Sequence, residues 1–126
     1  MVRLLLWVYV TLNLGIGFGC LVDPVGLLAP LAVEAADNRG IIELRAMYGG
    51  LQIGVGLFLA WCALHPERVR LGLLAATLEI GGLGLTRLAS YLVMSADGWL
   101  TPFLCVVEVT ITVISAATLW VTRTQQ

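Results

Sequence analysis

Six side chains here could do chemistry inside an otherwise apolar chain: Glu43, Arg45, Gln52, Glu79, Arg87 and Glu108. Glu43 and Arg45 open a stretch, IIELRAMYGGLQIGVGLFLA, that runs on through Tyr48 without a charge as far as residue 64. That is roughly the 20 residues needed to cross a hydrocarbon core. Read as one α-helix, Arg45, Gly49, Gln52 and Gly56 fall at i, i+4, i+7 and i+11 and share a face. A face of Arg, Gln and two glycines is expected to meet other helices, since its polar atoms need partners where no water can supply them.

Those partners must come from the other apolar runs, and composition says what kind of body they build. The 126 residues are 60% apolar and 12% charged, with a mean hydropathy of +0.97. A soluble domain carries about 25% charged residues, so no water-facing shell can be made from this chain. We expect an all-α integral membrane protein, a four-transmembrane-helix bundle in one domain spanning residues 1–126. The spans fall at about 4–22, 41–64, 71–94 and 102–121. The first could pass for a secretory signal, but its apolar run continues to Val22 and it reads as a retained span. Asp23-Pro24 is a helix start, with an N-cap followed by proline at the first helical position. The interrupted VGLLAPLAVEA after it is expected to lie at the interface as a short amphipathic segment. Turns are expected at 37–40, at 65–70 and at 95–99.

Four spans place both termini on one side. Arg3, Arg68, Arg70 and Arg123 fall on that side, whereas the opposite loops hold Arg39 with Asp23, Glu34, Asp37 and Asp97. The arginine asymmetry puts both ends in the cytoplasm. Depths then follow from a rise of 1.5 Å per residue. Arg45 lies about 6 Å, Arg87 about 10 Å and Glu108 about 9 Å below the outer ends of their spans. Arg87 and Glu108 are expected to be direct partners, with Arg45 a competitor for the same carboxylate. Tyr48, Gln52, Ser90, Cys105, Thr112 and Ser115 are expected around them. Glu79 sits about 12 Å from the cytoplasmic end and Asn13 about 13 Å. No basic residue reaches that depth, so a dry Glu79 would be carried as the neutral acid, bonded to Asn13 or a backbone carbonyl. Thr86 and Ser90 follow it as a polar seam.

Other chemistries find little. A net charge of −1 with no lysine and no basic patch excludes nucleic acid. Cys20, Cys62 and Cys105 have no metal-like spacing and read as small core residues, with a Cys20–Cys105 disulfide as the alternative. His65 is alone in a loop, so no metal site, haem site or activated nucleophile is expected, and no cofactor. GIGFG lacks the strand and acidic partner of a dinucleotide fingerprint.

The motif Glu43-Leu44-Arg45-Ala46-Met47-Tyr48-Gly49-Gly50, the glycine-rich span after it, GLTRLAS around Arg87, the Asp97-Gly98 turn and the acid in the fourth span resemble a family of small bacterial four-helix membrane proteins known only as a domain of unknown function. The layout is also similar to the DoxX-like group, some of whose members are associated with quinone-linked redox enzymes. The resemblance implies a four-helix fold in a bacterial cytoplasmic (inner) membrane and brings no catalytic residues. Three functions stay open. The polar cluster could bind or carry a membrane lipid or hydrophobic small molecule. The chain could be a structural subunit, in a homo-oligomer or a larger membrane complex. Glu79 or Glu108 could also serve as the acid or base of an intramembrane enzyme.

Overall fold

The computed structural model describes residues 2–94 and 97–123, which form helices with no strand among them. Ser95, Ala96 and the polar tail after Arg123, which the sequence places in a turn and at the end, lie outside the described residues. Helix α1, Val2–Val22, stops where Asp23-Pro24 begins the next. Asp23 Oδ1 accepts the Gly26 N–H at 2.9 Å, and Pro24, which has no N–H to lose, starts α2, Pro24–Leu28. A 3₁₀ turn over Ala29–Leu31 follows and ends at Ala32 with φ 56. This is the short segment expected between the first two spans.

The second long helix differs from its expectation in two ways. Residues 38–40 are its first turn and not a loop: Asp37 Oδ1 accepts the N–H groups of Arg39 and Gly40 at 2.9 and 3.1 Å, which caps α3, Asn38–Leu44. The Gly40 N–H, and then the Arg39 side chain, hold the Asp37 carboxyl below its ordinary range. The helix then loosens into a π turn over Arg45–Gly50 before tightening again as α4, Leu51–Leu64. Such turns are rare and concentrate at functional sites. Here the π turn coincides with RAMYGG. It also breaks the single face that an unbroken 3.6-residue period would have built. Gly49 and Gly56 are buried against α1, while Arg45 is exposed and Gln52 half-buried. Gly17 of α1 meets this turn almost backbone to backbone; a Cβ there would lie 3.1 Å from the Gly49 carbonyl oxygen.

Pro66 ends α4, with His65 in the extended conformation that proline imposes on its predecessor. Arg68 then lies over the Trp61 ring at 4.1 Å. Helices α5, Val69–Met94, and α6, Leu100–Arg123, form a hairpin closed by a turn at Asp97-Gly98. Four stretches are long and apolar enough to cross a membrane: Val2–Val22, Asn38–Leu64, Pro66–Met94 and Leu100–Thr122. Large apolar side chains such as Leu85, Val93, Val106 and Trp120 cover their outward faces. This is the surface of a multi-pass membrane protein, where lipid takes the place of a polar shell.

The helices pack as two pairs, α1 with α4 and α5 with α6. The buried apolar core is built on Leu6, Tyr9, Val10, Leu59, Leu73 and Ala76. It reaches no further than Leu14 on α1, Val55 on α4, Ile80 on α5 and Ile111 on α6. This cluster therefore fills the end of the bundle that holds Val2, Val69 and Leu119, and stops near the middle; buried Cys20, Leu28 and Cys105 lie outside it, toward the other end. Beyond it, the far end carries the α2 segment, the π turn and most of the expected site residues.

Candidate functional site

Above the last core residues, Arg87 of α5 meets Glu108 of α6. Arg87 Nε donates to both carboxyl oxygens of Glu108, at 2.9 and 3.2 Å. The two side chains are unequally covered, with 24% of Arg87 and 8% of Glu108 exposed. Sequence places them together because adjacent antiparallel helices joined by a short turn bring residues of equal depth side by side. What lets them meet is the absence of a side chain at Gly81 and Gly84. A Cβ at Gly84 would fall 2.8 Å from Glu108 Cβ, and one at Gly81 would fall 3.1 Å from Thr112 Cγ2. Thr112 returns its hydroxyl to the Glu108 carbonyl at 2.7 Å, which satisfies it without a partner on another helix.

Two further polar contacts join the helix pairs to each other. Tyr9 and Ser115 share a buried hydrogen bond of 2.7 Å between α1 and α6. One turn along α1, Asn13 Nδ2 donates to the Tyr9 carbonyl at 3.1 Å and to Glu79 Oε2 of α5 at 3.4 Å. Asn13 Oδ1 is buried and has no partner among the described residues. Tyr9 was not among the residues singled out from the sequence, yet a signal was there. Tyr9 and Asn13 stand at i and i+4 on one face of an apolar helix.

The expected cluster is thus brought together in part. Arg87 joins Glu108, and Asn13 joins Glu79. Arg45 instead donates from Nη2 to the Val22 carbonyl at 3.4 Å, one of the carbonyls that the end of α1 leaves without a helical partner. Glu43 and Tyr48 are exposed beside it, and Gln52 is half-buried on α4. Cys105 is buried, but Thr86 and Ser90 are exposed, so the seam expected above Glu79 lies on the outer surface of α5. All three cysteines are buried and free, including Cys20 and Cys105.

Chemically, the arrangement offers hydrogen-bond donors in an apolar setting. The N–H groups on both Nη atoms of Arg87 are engaged by no side chain or carbonyl among the described residues. They lie beyond the end of the apolar core, on the more exposed member of the pair.

The model of the domain of unknown function DUF4345 matches residues 1–120. The chain belongs to that family. No curated protein and no solved structure matches it. The match to DUF4345 covers the first three spans, all but the last two residues of the fourth, the RAMYGG π turn and both members of the Arg87–Glu108 contact.

Proposed function

We propose that this DUF4345 protein binds an amphipathic, lipid-like molecule in the far half of the bundle, with the Arg87–Glu108 pair holding its polar head. One observation carries the reading: a guanidinium at membrane depth presents unengaged Nη donors just where the apolar core ends. Donors left unpaired in hydrocarbon cost several kcal/mol each. A headgroup oxygen would satisfy them, while the apolar chain of the same molecule lay along the exposed helix faces. The Arg87–Glu108 contact then acts as an ion pair whose carboxylate is the anchored half and whose cation is the working half.

The arginine asymmetry sets the orientation we favour. Both termini and the loop at 65–68 face the cytoplasm of a bacterial inner membrane, and the head site opens in the outer leaflet. A periplasm-active reporter inserted at Asp97 should then give signal and one fused after Arg123 none; the reverse result would move the site to the inner leaflet.

Binding itself is tested by native mass spectrometry and lipid extraction of the purified protein. A stoichiometric lipid on the wild type that is lost in Arg87→Met is expected. A larger protein that co-purifies equally with both forms, and no lipid, would favour a structural subunit instead.

A further inference from the structure

We infer that the headgroup taken by Arg87 is neutral and rich in carbonyl or ether oxygens, and that anionic lipids are disfavoured there. This rests on the lipid-binding reading above and narrows it to a ligand class. What an arriving molecule meets is donor, not acceptor: Arg87 is 24% exposed and Glu108 only 8%. An acceptor group is therefore required, and both neutral carbonyls and anionic oxygens qualify on hydrogen bonding alone.

Charge separates them. Glu108 already balances Arg87 through both of its oxygens. No second cation is recorded at this site among the described residues; Arg45 is turned to the end of α1 at the Val22 carbonyl. The next titratable group deeper along the same helix, Glu79, lies eight residues away, about 12 Å, and supplies no positive charge. A phosphate or carboxylate would thus enter as an uncompensated charge in a medium that penalises one heavily. Its other course is to displace Glu108, which would strand a buried carboxylate packed against Gly84. An ester, amide or ketone oxygen satisfies the Nη donors with the pair left intact.

The test compares two lipids with identical chains, dioleoylglycerol and dioleoylphosphatidate, on the purified full chain in neutral detergent. Wild type should hold the glyceride about tenfold or more tightly over the phosphatidate. Arg87→Met should lose the glyceride. Glu108→Gln removes the counter-charge and should shift the preference about tenfold or more toward phosphatidate. The double variant, which lacks both charges and the Nη donors, should hold neither lipid. If Glu108→Gln does not fold, the wild type and Arg87→Met still decide. Phosphatidate preferred by wild type and lost in Arg87→Met would overturn the neutral-head inference while leaving the site in place. Binding of either lipid that does not change in Arg87→Met, or no binding at all, would overturn the site as well.

Discussion

Gly84 of α5 lies against the base of Glu108 of α6 so closely that a methyl group there would meet Glu108 Cβ at 2.8 Å. That Cβ is fixed to the backbone and cannot swing aside. Gly84→Ala should therefore push α5 and α6 apart and destabilise by about 1–3 kcal/mol, less the helix propensity that alanine brings. Gly82, two residues earlier, has nothing within 4 Å. Gly82→Ala should show the propensity gain alone, about 0.5–1 kcal/mol. Thermal unfolding in one detergent compares the two; a Gly84→Ala protein as stable as Gly82→Ala would reject the close approach.

The Arg87–Glu108 contact should behave as a coupled unit. Arg87→Met or Glu108→Gln alone leaves the other group without its partner, at a cost of about 3 kcal/mol. The double variant should cost less than the two added together, by about 0.5–3 kcal/mol of coupling. Strict additivity in the thermal stabilities would mean that the two groups do not interact.

At Asn13 the expectation runs the other way. Its Nδ2 already serves Tyr9 and Glu79, and its Oδ1 is the buried atom without a partner. A glutamine at position 79 keeps an oxygen for Nδ2 and adds an N–H that can reach Oδ1. Glu79→Gln should leave stability unchanged or raise it by up to about 1 kcal/mol. A clear loss in the melting curve would show that the carboxyl of Glu79 does something an amide cannot.

These contacts also show what could be read before folding was known. The spans, the Asp23-Pro24 start and the Arg87–Glu108 depth match were legible because each rests on local chemistry or on helical rise. The partners of Arg45 were not. Its placement depends on the π turn, and no periodicity in Ile41–Ala60 marks where a helix will accept one extra residue per turn. The exposure of Thr86 and Ser90 escaped for a related reason: their spacing says they share a stripe with Glu79, but only packing says which way the stripe drifts. Nor could the one-ended core be seen, since apolar residues fill all four spans from end to end.

Asp37 offers a pH test outside the membrane. Its carboxyl is depressed, first by the Gly40 N–H and then by Arg39, so the ionised form is the one that caps α3. The cap is fully present above the ordinary carboxylate range, about pH 4, and is lost as pH falls through the lowered value. Amide exchange at Arg39 and Gly40 should therefore quicken only in strong acid, and Asp37→Ala should show the fast rate at neutral pH. Slow exchange in that variant would assign the helix start to something other than Asp37.

The π turn at Arg45–Gly50 has a consequence for how this sequence tolerates change. It stores one residue more than an α-helix would use over the same rise. Removing a single residue from Ala46 or Met47 would restore a regular helix without breaking a hydrophobic run. The flanks, Asn38 to Leu44 and α4, would keep their phase, because the turn takes up its extra residue over the same rise. What would change is the turn itself, where Arg45 reaches the Val22 carbonyl and Gly49 meets Gly17. A one-residue deletion there should therefore leave the four spans in place and be felt at those two contacts.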